Sequence, residues 1–103
     1  MEEFTQERIA QLRMQKGVSA RDMSLSLGQN ENYINRIENK KALPSLSGLS
    51  YILEYFHITP REFFDEGNAY PEQLSALVAD LQKLDAAALA LVSSLVKELI
   101  HKK

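Results

Sequence analysis

The stretch of residues 19–39 limits the possible folds more than any other part of this sequence, because it encodes two short helices joined by a tight turn. Ser19 can cap the first helix. Gly28 is placed to end it, since glycine takes the left-handed backbone conformation at little steric cost. Asn30 can cap the second helix, and Glu31 in its first turn suits the positive end of the helix dipole. A compact pair of helices is therefore expected here.

The second helix of this pair has two different faces. Its inner positions carry Tyr33, Ile34 and Ile37, and its outer positions carry Asn32, Asn35 and Arg36. Asn can pair through two hydrogen bonds with adenine and Arg with guanine, so this row suits a helix that lies in the major groove of DNA. A polar outer face is also the default of any helical hairpin in water. The segment alone leaves both interpretations open.

Helical signals continue on both sides of the pair. A first helix is expected from Thr5, its predicted cap, to about Lys16, and Gly17 should end it. A fourth should follow a cap at Ser45, and its apolar residues recur at steps of three and four. These residues are Leu46, Leu49, Ile52, Leu53 and Phe56. A short fifth helix should begin at Thr59-Pro60, a cap followed by proline at the first helical position. No stretch alternates as a strand would, so an all-α chain is predicted.

The pattern changes near residues 65–69, which predicts a domain of residues 1–68 followed by a segment of residues 69–103. In that segment, apolar residues recur at helical spacing in two runs separated at Asp85, which predicts a helical hairpin. A hairpin of roughly thirty residues cannot cover both of its apolar stripes, so they need a partner. We expect a second copy of the chain, and the alternative is the chain's own first and fifth helices. The predicted interface residues are Leu74, Leu77, Leu81, Val92, Leu95, Val96 and Leu99.

Composition sets further limits. The 103 residues carry 12 Lys and Arg against 14 Asp and Glu, so the basic balance typical of nucleic-acid binding is missing. Four cations nevertheless lie in or near the helix pair: Arg21, Arg36, Lys40 and Lys41. The absence of cysteine excludes disulfides and fits an intracellular location. The N-terminus lacks the apolar core of a signal peptide, and no run reaches the length of a membrane helix.

Patterns of catalytic or metal-binding residues are missing. His57 and His101 are the only histidines and lie far apart, so a metal site is not expected. The sequence has no glycine-rich phosphate loop and no Ser/His/Asp set near a plausible pocket. We therefore expect no enzymatic activity and no cofactor, and no small-molecule ligand is evident.

Residues from about Glu7 to Glu66 resemble the helix-turn-helix regulators of the phage lambda repressor and Cro family, also called XRE-type. The similarity is collinear over roughly three fifths of the chain. It is carried by IAQLRMQKGVS in the first helix and its turn, the LG turn at Leu27-Gly28, RIENKK from Arg36, LPSL from Leu43 and ITPREFF from Ile58.

The resemblance implies a five-helix, lambda-repressor-like DNA-binding bundle whose third helix lies in the major groove. Backbone N–H groups at the start of the second helix would meet a phosphate, and residues after the third helix would reach the flanking backbone. The DNA-contacting residues so implied are Ser19, Ala20, Arg21, Asn30, Glu31, Asn32, Asn35, Arg36, Asn39, Lys40 and Lys41. Arg13 and Glu38 match a structural ion pair of the fold.

Three positions depart from the family's pattern. Ala20 stands where Gln is frequent, and Lys40 stands where Gly is common. Glu31 places an acid at the tip of the reading helix, where a carboxylate repels phosphate but can accept from cytosine.

The function implied by the resemblance is a cytoplasmic, nucleoid-associated regulator of a bacterial host. We expect it to act on double-stranded DNA, as a homodimeric repressor of an inverted-repeat operator. The alternative is a protein-interaction module of the antitoxin-like or polymerase-binding kind, with weak DNA binding.

Overall fold

The computed structural model describes residues 1–102, so Lys103 at the end of the predicted hairpin lies outside the described part. Seven α-helices occur in it: α1 (Glu2–Lys16), α2 (Ala20–Ser26), α3 (Tyr33–Glu38), α4 (Leu46–Phe56), α5 (Pro60–Phe63), α6 (Pro71–Leu81) and α7 (Ala86–His101). No strand occurs over that range, and the predicted all-α class is confirmed. The chain divides into two compact units, Met1–Glu72 and a second that begins at Gln73.

The start of α1 differs from the prediction. The helix begins at Glu2, so Thr5 is not its cap but lies inside it, where its hydroxyl donates to the carbonyl of Met1 at 2.9 Å. Two acids in the first turn favour this earlier start, because they interact well with the positive end of the helix dipole. Gly17 ends the helix with a φ of 74°.

The caps of α2, α4 and α5 follow the sequence signals. Ser19 and Ser45 each accept a hydrogen bond at 3.0 Å from the backbone N–H three residues later. Thr59 and Glu62 cap each other reciprocally at the start of α5. The apolar spacing predicts Leu46 on the inner side of α4, but Leu46 is 87% exposed. It is the first residue of the helix, and the buried residues of α4 begin only at Gly48.

The start of α3 also differs from the prediction. The helix begins at Tyr33, two residues later than expected. Asn30 accepts through Oδ1 from the N–H of Asn32 at 2.9 Å, which closes a turn instead of capping the helix directly. Glu31 therefore lies in the turn before the helix and not in its first turn.

The core of the first unit is formed by residues of α1, α2, α3, α4 and α5 and of the turn before α5. Its buried apolar residues are Ile9, Leu12, Met23, Ile34, Ile37, Ile52, Leu53, Phe56, Ile58 and Phe63. An isolated helix as short as α3 is unstable in water, so it depends on this packing. Ile34 and Ile37 are completely buried. The outer side of α3 is consequently left facing solvent.

The segment after α5 is fastened to α1. Arg8, which is buried, donates from its guanidinium to four backbone carbonyls at 2.6–3.4 Å, those of Glu62, Phe63, Asp65 and Asn68. Gln15 donates to the carbonyl of Ala69 at 2.6 Å, and Pro71 is buried. A guanidinium carries five N–H donors, so Arg8 can bind several carbonyls at once. The first compact unit thus extends to Glu72.

The second unit contains most of α6, the turn after it and α7, and the apolar side chains of these helices are largely exposed to solvent. Asp85 caps α7 by accepting from the N–H of Ala88 at 2.9 Å. Leu95 and Leu99 are each 58% exposed, while Leu81 and Val92 are half-buried. Over residues 1–102, no helix is both long and apolar enough to cross a membrane.

Candidate nucleic-acid interface

α2 and α3 pack against each other, and α3 also packs on α1. We use the name polar face for the eleven residues predicted to contact DNA: residues 19–21, 30–32, 35, 36 and 39–41. Ten of them are exposed, and Ala20 is half-buried. Asn35 and Arg36 are accessible because Ile34 and Ile37 occupy the buried side of α3, and residues at helical spacing share a side. The other members of the polar face lie on α2 or in the turns next to the two helices. Contact of these residues with DNA remains a prediction.

Two amides on the polar face are joined. Asn39 donates through Nδ2 to Oδ1 of Asn35 at 2.8 Å, one helical turn apart. The Asn35 amide keeps both Nδ2 hydrogens and a second lone pair on Oδ1, so it can still pair with a base edge through two hydrogen bonds. Asn39 therefore orients Asn35 without using up its binding groups.

Arg21 and Glu31 form an ion pair across the helix pair. Nη2 of Arg21 lies 3.3 Å from Oε2 of Glu31, and both side chains are more than half exposed. Exposed pairs of this kind contribute at most about 1 kcal/mol, so a phosphate can displace the carboxylate. Glu31 thus partly neutralises the positive charge of Arg21.

Lys40 is held by the N-terminal helix. Its Nζ lies 2.9 Å from Glu3 and 3.3 Å from Glu7, and its backbone has a φ of 63°, a conformation that most residues avoid. The hydrogen bonds that Lys40 donates to Glu3 and then to Glu7 raise the pKa of Lys40, and the bond to Lys40 lowers the pKa of Glu3. Two predicted contact residues, Arg36 and Lys41, form no ion pair with any described residue. The cations of the polar face are therefore unequally available.

Tyr33 positions the start of α3, although the sequence indicated only that it belonged to the apolar stripe. A Cβ added to Gly48 of α4 would come within 2.7 Å of the Tyr33 hydroxyl, so the bare glycine makes room for it. Burial raises the pKa of Tyr33. The first turn of α3 therefore rests on α4 as well as on α2.

Ser24 is a second residue whose role the sequence analysis missed. It is completely buried in α2, and its hydroxyl joins α2 to α3 through two hydrogen bonds. The available signal was a serine between two apolar residues inside a helix, where the hydroxyl has to find a backbone partner. Among the described residues, no group of three or more His, Cys, Asp or Glu could hold a metal ion.

Two short packed helices with an exposed row of Asn and Arg on the second define a helix-turn-helix protein. A family model described as helix-turn-helix matches residues 9–63, just over half of the chain. The chain therefore belongs to the Cro/C1-type, XRE-like helix-turn-helix family, as its sequence resemblance indicated, and it is a DNA-binding helix-turn-helix regulator. Comparisons with curated proteins and with solved structures found no match.

Proposed function

We propose that this protein is a sequence-specific transcriptional repressor that binds an inverted-repeat operator as a homodimer. One observation carries the proposal: the exposed Asn32, Asn35 and Arg36 lie opposite the buried Ile34 and Ile37. Such a helix can enter the major groove while its inner side stays packed, and its amide and guanidinium groups match adenine and guanine. Repression would be steric, through occupancy of an operator that overlaps a promoter.

The remaining residues of the polar face would position the protein on the sugar-phosphate backbone. Lys41, which has no acidic partner among the described residues, is the strongest candidate for a phosphate contact. Ser19 and Ala20 would offer backbone N–H groups. Contacts of this type set register and affinity but carry no sequence information. In a bacterial host the protein would act in the cytoplasm, at the nucleoid.

Dimerisation is the part of the proposal that rests on the second unit. Leu74, Leu77, Leu95, Val96 and Leu99 are all exposed there, so each hairpin retains apolar surface to bury. Two copies related by a two-fold axis would bury the same surface on both chains. Linking two reading units raises the affinity for a double site without any new base contact. Half-sites would lie about one helical turn, ~34 Å, apart.

The test is selection of bound sequences from a random DNA pool by the full-length chain. We expect an inverted repeat to emerge, with a steep loss of affinity as salt rises, at a log–log slope of about −0.9 per phosphate contacted. Selected sequences without a repeat would contradict the dimeric operator. Binding that showed no sequence preference would contradict base reading by α3.

A protein-interaction role is supported by a separate surface on α4. Leu46 and Tyr51 are exposed there and line a shallow groove with Ser47, Ser50 and Glu54. Exposed apolar groups that lie together mark sites of protein contact. An antitoxin-like or polymerase-binding module would show weak DNA affinity, and replacing Leu46 would weaken its protein complex. Salt dependence separates the two roles, because an apolar contact is little affected by salt.

A further inference from the structure

Ser24 makes two hydrogen bonds from a completely buried position in the middle of α2. Its Oγ donates to the carbonyl of Ala20 at 2.7 Å and accepts from the backbone N–H of Ile34 at 3.0 Å. The first bond is a common one, in which the hydroxyl of a helical serine donates to the carbonyl four residues earlier. The second bond joins Ser24 of α2 to Ile34 of α3, so this serine connects the two helices through a hydrogen bond.

α3 lacks a side-chain cap of its own. The first N–H groups of any helix have no partner within the helix. At the start of α3 the cap residue Asn32 makes no side-chain hydrogen bond to them, and the N–H of Tyr33 is taken by the carbonyl of Asn30 at 2.9 Å. The N–H of Ile34 is buried and is taken by Ser24. The cap of the reading helix is thus supplied by the neighbouring helix.

A hydrogen bond constrains this helix pair in a way that apolar packing does not. Apolar contacts depend on buried area and have no preferred direction, whereas an N–H···O bond restricts both distance and angle. α3 has only six residues, so a small rotation about Ile34 changes which side chains reach a base edge. The N–H of Ile34 is buried, so it has no water to bond if it loses the Ser24 hydroxyl. The free-energy cost of that unpaired N–H disfavours any other position of α3 against α2.

We propose that Ser24 is a positioning residue for DNA reading: its buried hydroxyl caps α3 from α2 and holds the reading helix in register with the groove. This inference rests on the proposed function, since it concerns how accurately α3 reads bases. It assigns a role in specificity to a residue that does not touch DNA. Affinity for random DNA should depend on it less, because phosphate contacts come from residues outside α3.

The test compares Ser24→Ala with two controls in the full-length chain. Alanine is the best helix former, so the change removes the hydroxyl without weakening α2 itself. Ser26→Ala makes the same replacement at an exposed position of α2. Thr59→Ala removes the cap of α5, a loss of similar kind that does not involve α2 or α3. Hydrogen exchange at the Ile34 amide and the ratio of Kd values on random and selected DNA are measured for all of them.

We expect exchange at Ile34 to become about tenfold faster in Ser24→Ala, and the Kd ratio to fall by a similar factor. Ser26→Ala should match the wild type, and Thr59→Ala should lower stability with the Kd ratio unchanged. An unchanged Ile34 exchange rate would overturn the cap. Equal Kd ratios for Ser24→Ala and Thr59→Ala would overturn positioning, and an unfolded Ser24→Ala chain would assign Ser24 to core stability instead. The exchange measurement uses no DNA, so it stands even if the proposed function fails.

Discussion

Arg13 of α1 and Glu38 of α3 form a two-pronged ion pair. Nε and Nη2 of the arginine lie 2.6 and 2.9 Å from the two carboxylate oxygens, and the side chains are only 18% and 14% exposed. Nη1 of Arg13 also donates to the carbonyl of Val18 at 2.9 Å, so the guanidinium holds the turn between α1 and α2 as well. Hydrogen bonding to Glu38 raises the pKa of Arg13. The C-terminal end of α3 is therefore fixed to α1.

Removing one member of this pair should destabilise the fold without altering base reading. For Glu38→Ala we expect the free energy of unfolding to fall by about 2–3 kcal/mol, between the values for exposed and fully buried pairs. The remaining guanidinium would be desolvated without its partner. Urea denaturation of both single variants and of the double variant with Arg13→Ala gives the coupling energy. Additive effects of the two substitutions would contradict a stabilising pair.

The proposed base readers and phosphate contacts should differ in their dependence on DNA sequence. Asn32→Ala and Arg36→Ala should each cost about 1–3 kcal/mol on the selected site and much less on random DNA. Lys41→Ala should weaken both and reduce the steepness of the salt dependence. Titrations of each variant on both DNAs at several salt concentrations measure this. An equal loss on all sequences for Arg36→Ala would assign that residue to phosphate.

The acids that hold Lys40 should compete with DNA. Replacing Glu3 and Glu7 together by Gln frees Lys40 and removes two like charges, so affinity for any DNA should rise by about two- to fivefold, as expected for exposed pairs. Glu2→Gln, in the same helix, is the control for loss of a charge that does not bind Lys40. The gain should shrink in a Lys40→Ala background. A full gain in that background would mean that the acids act only through long-range repulsion.

The exposed apolar residues of α6 and α7 should determine the oligomeric state. If the proposed dimer forms through this segment, the polar substitutions Leu95→Gln and Leu99→Gln should leave the full-length chain monomeric. They should also weaken binding to the complete operator far more than to a half-site. Ser94→Gln lies on the other side of α7 and serves as the control, given 3.6 residues per turn. Analytical ultracentrifugation at micromolar concentration and DNA titration provide the readouts. A wild-type monomer with unchanged operator affinity in the Leu variants would contradict the dimer.

A chain ending at Glu72 tests the same idea from the other direction. It retains the carbonyls bound by Arg8, the Gln15 contact and the buried Pro71, all of which belong to the first compact unit. We expect a folded monomer by circular dichroism and sedimentation. Dimerisation of this shortened chain would place the interface in the first unit.

Local interactions explain why so much of the fold could be predicted from the sequence. Ser19, Ser45, Thr59 and Asp85 each bind a backbone N–H three residues later, so their roles depend on neighbours that the sequence displays directly. Gly17 and Gly28 adopt the left-handed backbone that their positions indicated. Helical spacing likewise showed that Ile34 and Ile37 point inward and that Asn35 and Arg36 point outward. The two helix starts that were predicted wrongly, at Thr5 and Asn30, also depend on local interactions. Each side chain has more than one backbone group within reach, and Thr5 bonds to Met1 while Asn30 bonds to Asn32.

Tertiary structure alone decided the contacts that join distant parts of the chain. Ser24 meets a backbone N–H 10 residues away, Lys40 meets acids 33 and 37 residues away, and Arg8 binds carbonyls 54 to 60 residues away. Composition and periodicity cannot identify these partners, because a hydroxyl, an ammonium or a guanidinium can form a hydrogen bond with any correctly placed partner. Packing of the apolar core brings these groups together. It thereby determines how α3 is capped and how much of the positive charge on the polar face is free of acidic partners.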